Sequence, residues 1–318
     1  MATWKKAVFV VVLTVFIGLS LSFTFFSIAR DTFEYKEQEN IADTELCGWE
    51  FYGFNGNSDT TEIYIDFVRN EKGTDPDETK PVVSVGDFTV VSDEYVQFIH
   101  IGKDVQHIAD SAFYYCKQLK AVFVDDANPY YCDVDGVLFT KDMKTLVLHP
   151  ILNGQWQKEE KINDAHDTYV IPEGVENIGS YSFYKNYDLV HLTLPSTLKT
   201  IGDMAFFSCG SMWTIWLPEG LTSIGADAFS YCGSLSPVMY IPSTVKEIDD
   251  YAFFSCTGIS TMYMGADSEE GIIVGESWLP KNDLKVLYHA AIKPEYGKTL
   301  EDAKAEKERL DNLKEQEG

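Results

Sequence analysis

The central part of the chain repeats itself about every 23 residues. Proline and phenylalanine both recur at this step, as Pro172, Pro195, Pro218 and Pro242, and as Phe183, Phe206, Phe229 and Phe253. Each unit reads approximately V-x-x-I-G-x-x-A-F-x-x-C-x-x-L-x-x-I-x-L-P. A unit of this length cannot enclose a core alone, so successive units must stack and bury their apolar positions against one another. The sequence therefore predicts a solenoid.

The segment L-x-x-I-x-L in each unit predicts a short β-strand. Its last three residues alternate inward, outward and inward, which is typical of a strand with one buried face. The proline that follows ends the strand because it has no N–H to donate. The glycine that follows isoleucine, as in Gly202 and Gly225, is expected to take the positive φ of a coil corner.

Degenerate units extend the array in both directions. An earlier copy starts at Val105, and a variant at residues 134–150 carries Asp135 and Gly136, which predict a tight hairpin turn. With frayed units near Val82 and Val274, we count about eight coils. We therefore divide the chain into a leader, a partly helical stalk with an N-terminal cap, a repeat domain and a charged C-terminal helix, at residues 1–30, 31–81, 82–290 and 291–318.

These units resemble the leucine-rich repeats of the BspA-like surface-protein family, which share the A-F-x-x-C signature and the junction between strand and proline. The resemblance covers Val82 to Tyr288, including the variant V-D-G-V-L-F-T-K-D. It implies a β-rich leucine-rich-repeat solenoid, a right-handed superhelix of about eight 23-residue coils. It also implies an exported microbial surface protein that serves adhesion and is not an enzyme. The chain departs from the family in an irregular insertion, Ile151 to Asp167, and in a ragged final coil.

The first thirty residues predict export. Lys5 and Lys6 precede an uncharged stretch, residues 7–29, which as a helix would be about 35 Å long, enough to cross a hydrocarbon core of about 30 Å. The small residues Ser27 and Ala29 equally fit a signal-peptidase site. The leader is therefore an uncleaved membrane anchor or a cleaved signal peptide. In both cases the repeat domain lies outside the cell, either anchored at the surface or secreted.

The charge of the chain excludes one class of partner. Fifty acidic residues against 25 basic ones give a formal net charge of −25. Such a chain is repelled by phosphate backbones and anionic lipid head groups, so nucleic acid is not an expected partner. We expect a protein or glycan at the cell surface, and membrane contact only through an uncleaved leader.

The cysteines admit two interpretations. Cys116, Cys209, Cys232 and Cys256 occupy one slot of the repeat, and neighbouring coils could bring them within disulfide distance. The favoured alternative is an inward thiol that bonds the backbone, because Asn186 fills the same slot in another coil. The sequence leaves open whether Cys47 and Cys132 form a disulfide.

No catalytic, cofactor-binding or metal-binding residue is predicted. The six histidines are scattered, and the two S-x-x-K matches, at Ser196 and Ser243, lack their partner motifs. Only the insertion is irregular enough to hold a hydrolytic site, with Trp156, Glu159, Glu160, Asp164 and His166.

The candidate ligand-binding residues are aromatic side chains at outward strand positions, namely Phe123, Trp213, Trp216, Tyr240 and Tyr263. Exposed aromatic rows often mark recognition surfaces, although cross-strand packing would also explain a row of rings. A second row, Tyr114, Tyr184, Phe207 and Phe254, is interpreted as packing at the coil edge. The predicted function is binding of a protein or glycan partner by an exported cell-surface protein. The alternatives are a structural envelope protein without a discrete ligand, or an extracellular hydrolase.

Overall fold

A computed structural model describes residues 32–37, 49–55, 61–69, 79–90, 95–160, 167–213, 215–266, 271–280 and 284–288. The predicted leader at residues 1–30 and the predicted helix at residues 291–318 lie outside them. Among the described residues, no helix is both long enough and apolar enough to span a bilayer. The chain divides into two compact units, Met1–Asp142 and Met143–Gly318.

The strands of the first unit are β1 (Thr32–Glu37), β2 (Trp49–Asn55), β3 (Glu62–Ile65), β4 (Phe67–Arg69), β5 (Thr79–Val85), β6 (Phe98–Ile101), β7 (His107–Ile108), β8 (Ala121–Val124), β9 (Tyr131–Val134) and β10 (Val137–Thr140). Strands β3, β6 and β8 form a parallel ladder. Strands β2, β5 and β7 form another. The partly helical stalk is wrong where the chain is described, because β1 pairs antiparallel with β2. Its Thr, Phe and Tyr residues favour strand over helix.

The predicted hairpin is confirmed. Strands β9 and β10 are antiparallel and are joined by Asp135 and Gly136. Both turn residues have positive φ, 50° and 78°, as a two-residue hairpin turn requires.

The elements of the second unit are β11 (Thr145–Leu148), α1 (Asn153–Glu159), β12 (Thr168–Val170), β13 (Asn177–Ile178), β14 (His191–Thr193), β15 (Thr200–Ile201), β16 (Ser223–Ile224), β17 (Val238–Ile241), β18 (Glu247–Ile248), β19 (Thr261–Met264), β20 (Ile273–Val274) and β21 (Lys285–Tyr288). The predicted L-x-x-I-x-L strands form parallel pairs β12–β14, β17–β19 and β19–β21. A second parallel ladder, not predicted, runs through the V-x-x-I-G segments, β11, β13, β15, β16, β18 and β20. The fold is a β-solenoid of about eight turns, as predicted.

The core of the second unit contains one file of stacked rings. The centroids of Phe183 and Phe206 are 5.0 Å apart, and those of Phe206 and Phe229, and of Phe229 and Phe253, are 5.1 Å apart. All four side chains are at most 1% exposed. The single interior file expected from the repeat spacing is therefore confirmed. His149 extends the file, since its ring stacks on Phe183 with centroids 4.8 Å apart.

The glycines after isoleucine have a different role from the one expected. Gly202 and Gly225 do not have positive φ. A Cβ at Gly225 would lie 2.8 Å from the backbone nitrogen of Asp203 in the preceding coil, so the requirement is close approach between coils. Positive φ instead recurs twice in each A-F turn, at Tyr181 and Lys185, Met204 and Ser208, Asp227 and Tyr231, and Tyr251 and Ser255.

Candidate ligand-binding surface

Tyr240 and Tyr263 are neighbours but are not exposed. They lie opposite each other in the register of β17 and β19, and each is 3% exposed. With Val238 they form a buried cluster against which Leu287 packs. The expectation that these two rings face solvent is therefore wrong, because packing between in-register outward positions covers them.

The hydroxyl group of Tyr240 is also held in place. It donates a hydrogen bond of 3.2 Å to the Glu219 carboxylate, which also accepts one from Ser243. Burial, followed by the charge of Glu219, raises the pKa of Tyr240. Gly265 lies against this hydroxyl, since a Cβ there would come within 2.5 Å of it. The side chain of Tyr240 is thus part of the packed structure.

Trp213 and Trp216 remain partly accessible. Ile215 is 5% exposed and Leu217 is 1% exposed, whereas both tryptophans are half-buried. This confirms the predicted alternation of burial around Trp216, but the predicted strand is wrong, because the described residues around the two tryptophans are not in a β-strand. The ring of Trp213 meets His191 edge to face, with centroids 6.4 Å apart. These two indoles are the accessible part of the predicted set in the second unit.

Phe123 belongs to the first unit, where it lies on β8 in the parallel ladder of β3, β6 and β8. Its half-buried ring lies 5.2 Å from His100, which stacks on Tyr64 at 4.2 Å. Glu62 accepts a hydrogen bond from the Tyr64 hydroxyl at 2.8 Å and lies 3.7 Å from His100 Nε2. Burial lowers the pKa of His100 although Glu62 opposes the shift. This surface of the ladder therefore combines the rings of Tyr64, His100 and Phe123 with the carboxylate of Glu62.

The hydrogen bonds of the four cysteines confirm that this slot of the repeat holds inward thiols bonded to the backbone. Each sulfur donates to a backbone carbonyl of the preceding coil: Cys116 to Val90 at 3.2 Å, Cys209 to Phe183 at 3.0 Å, Cys232 to Phe206 at 3.0 Å and Cys256 to Phe229 at 2.9 Å. Cys209, Cys232 and Cys256 are free thiols. Asn186 also bonds the backbone, since its side-chain oxygen accepts the Leu189 N–H at 3.2 Å, and its amide nitrogen lies 3.1 Å from a ring nitrogen of His149. Cys47, the other half of the undecided pair with Cys132, lies outside the described residues.

The insertion forms α1 and borders one small cavity. The cavity, about 10 Å³, is lined by His149, Asn153, Gln157, Tyr169 and Asp188 among others. This volume holds one water molecule and no substrate. Glu159 and Glu160 are exposed, while Asp164 and His166 lie outside the described residues. Within the described part of the chain, no group of His, Cys, Asp and Glu side chains could hold a metal ion.

A further row of rings lies along the A-F turns of the second unit. Successive ring centroids are 5.2 to 5.8 Å apart along the series Tyr181, Tyr184, Phe207, Tyr231, Phe254 and Tyr251. We call these six side chains the turn row. Tyr184 is 7% exposed, which fits packing, but Tyr231 and Tyr251 are 49% and 38% exposed. This row could have been found from the sequence, because each coil has an aromatic residue near its core phenylalanine. The aromatic residue lies two positions before that phenylalanine, or one or two positions after it.

A family profile described as "BspA type Leucine rich repeat region" matches six copies, at residues 81–130 and 163–270. The chain belongs to this family. The matched ranges include the second unit's coils from β13 to β19, whose stacked phenylalanines and inward cysteines are the repeat signature. A repeat scaffold of this family is generally not enzymatic. No curated protein sequence matches the chain.

A solved structure shows the same fold. The pneumococcal vaccine antigen PcpA aligns with a TM-score of 0.52 and 24% identity, over 66% of this chain and 47% of that one. A leucine-rich repeat protein from Eubacterium ventriosum aligns with a TM-score of 0.46 and 19% identity, over 68% of this chain and 66% of that one. A leucine rich cell surface protein from Faecalibacterium prausnitzii has a TM-score of 0.38 and 23% identity, over 83% and 76%. This chain thus spans about half the length of the PcpA chain.

Proposed function

We propose that the protein is an exported cell-surface repeat protein that binds a protein or glycan partner. The observation that carries the proposal is the pair of partly accessible indoles, Trp213 and Trp216, on a regular repeat scaffold. Large rigid rings on a fixed scaffold provide contact area at low entropic cost. Phe123 would make the corresponding contact in the first unit, and Tyr240 and Tyr263 would support the surface from below.

Export is the second part of the proposal. The uncharged stretch at residues 7–29 after Lys5 and Lys6 supports it. The similarity to PcpA, which is named as a vaccine antigen, supports export as well. Biotinylation of intact cells with a membrane-impermeant reagent, followed by sequencing of the mature N-terminus, tests export and separates the anchor from the signal peptide. Labelling only after lysis would overturn the surface location.

The binding partner is sought with the full chain on arrays of glycans and of extracellular proteins. We expect a small set of saturable ligands. Empty arrays, together with abundant and uniform surface labelling, would instead favour a structural envelope protein.

A further inference from the structure

The turn row combines three features that packing alone does not require. Its rings form an unbroken chain of contacts across four coils. Where the coil has Ser230 in the ring position, the neighbouring Tyr231 supplies the ring, and its centroid lies 5.3 Å from that of Phe207. The row nevertheless leaves about half of Tyr231 accessible to solvent. An aromatic surface of this extent is a candidate contact surface.

The two most exposed rings stand on unfavourable backbone. Tyr231 and Tyr251 have φ of 62° and 58°, a region in which bulky residues are rare and glycine is preferred. The turn imposes this conformation on whichever residue occupies it, as Ser255 shows in the slot of Tyr231 with φ of 56° and Met204 in the slot of Tyr251 with φ of 52°. Bulky residues that persist at strained positions motivate a functional hypothesis. Two large exposed tyrosines at such positions therefore call for a role outside the core.

The charges beside the turn row are almost all negative. Carboxylates on the same turns and on the next are Asp203, Asp227, Asp249, Asp250 and Glu276. Two of them are close to the rings in the chain: Asp250 directly precedes Tyr251, and Asp227 occupies the turn position that Tyr251 occupies in the next coil. Aromatic faces attract cations through their quadrupole, and nearby carboxylates add to that attraction. The combination favours a positively charged partner over a neutral one.

The chain shows this chemistry within its own turns. The ammonium group of Lys185, in the turn of Tyr184, lies 5.2 Å from the centroid of that ring. In the corresponding turn of the first unit, Lys117 lies 5.3 Å from the Tyr115 ring. Each is a lysine on a tyrosine face at the same kind of turn. A basic segment from outside would repeat this contact on the exposed rings of Tyr231 and Tyr251.

We propose that the turn row is a docking site for a lysine- or arginine-bearing segment of a partner protein. The site goes beyond the proposed contacts of Trp213 and Trp216 and does not depend on them. Guanidinium or ammonium groups would stack on Tyr231 and Tyr251 while the flanking carboxylates hold neighbouring charges.

The test uses full-length protein with two double variants of equal net charge. Tyr231→Gly/Tyr251→Gly removes the exposed rings from positions that glycine tolerates, and Ser208→Gly/Ser255→Gly changes the slot of Tyr231 in the two neighbouring coils without removing a ring. Fluorescent oligoarginine and oligolysine peptides are titrated at about 0.15 M salt, where attraction by distant charges is screened. We expect the tyrosine variant to bind about tenfold more weakly than wild type and the serine variant to bind unchanged.

Equal peptide binding by both variants would overturn the proposal, because attraction by the net charge alone would then suffice. Ring-dependent binding of neutral oligosaccharides without ring-dependent peptide binding would also overturn it, in favour of a sugar site. Chemical denaturation serves as the folding control: relief of the positive φ offsets part of the lost contacts with Phe207 and Phe254, so both variants should still unfold in one cooperative transition. The peptide result does not depend on whether a ligand binds at Trp213 and Trp216. The proposal for the turn row and the proposal for the two tryptophans can therefore fail independently.

Discussion

The sulfur of Cys232 donates a hydrogen bond of 3.0 Å to the carbonyl oxygen of Phe206 in the preceding coil. That carbonyl also accepts the backbone N–H of Cys209 at 3.1 Å, so the cysteine slot and the ring file are linked in every coil of this stretch. Burial raises the pKa of the Cys232 thiol well above its usual range, with further contributions from Cys209 and Cys256. The slot therefore stabilises the stack and is chemically inert.

Replacing Cys232 by alanine should lower the free energy of unfolding by about 1 to 3 kcal/mol, through a small cavity and a lost hydrogen bond. Urea denaturation measures the loss. In the folded protein the thiols of Cys209, Cys232 and Cys256 should resist a thiol-reactive chromogenic reagent and react fully after unfolding. Rapid labelling of Cys232 under native conditions would contradict the buried position.

His149 should make the stability of the second unit depend on pH. Burial lowers the pKa of this imidazole from 6.5 to about 3. The unfolded chain then binds the proton first, so the free energy of unfolding falls as the pH drops from 7 towards 3. Between pH 7 and pH 5 this residue alone should cost about 2 kcal/mol.

The variant His149→Gln isolates this effect, since other titrating groups are common to both proteins. The difference in unfolding free energy between wild type and variant should shrink as the pH is lowered over this range. A difference that stays constant from pH 7 to pH 5 would show that the imidazole does not titrate as expected.

Gly225 and Gly210 form a matched pair for the packing of coils. A Cβ at Gly225 would come within 2.8 Å of the Asp203 backbone, whereas a Cβ at Gly210 would meet only a ring carbon of Tyr187 at 3.9 Å. Gly225→Ala should therefore destabilise the protein by about 2 kcal/mol or more, while Gly210→Ala should be neutral or slightly stabilising. Thermal unfolding of both variants checks this, and similar midpoints would refute the close approach.

Tyr240→Ala should be strongly destabilising. The ring is buried against Tyr263 and its hydroxyl bonds Glu219, so the change should cost about 3 kcal/mol. Tyr240→Phe is the control, because it keeps the ring and removes only the hydroxyl. An alanine variant as stable as wild type would restore the exposed position that the sequence suggested.

The repeat spacing predicted the stack because equivalent residues of successive coils must coincide, as Phe206 and Phe229 do. It also identified the Asp135–Gly136 turn and the strands of the L-x-x-I-x-L segments such as β17 and β19, but not the second ladder. The burial of Tyr240 could not be derived from the repeat, since period two gives the face of a strand but not what covers it. The role of Gly225 was missed because distances between coils depend on the stacked backbone and not on one unit. The exposed rings of the turn row were missed because Tyr231 and Tyr251 fall outside the regular slots.

The most direct test of the account compares binding and stability in one variant, Trp213→Ala/Trp216→Ala, using a ligand found on the arrays. If these indoles act as a contact surface on a scaffold held together elsewhere, affinity should fall about tenfold or more while the thermal midpoint changes little. Unchanged affinity with a large fall in the midpoint would show that the two tryptophans serve packing, and the proposed binding surface would be wrong.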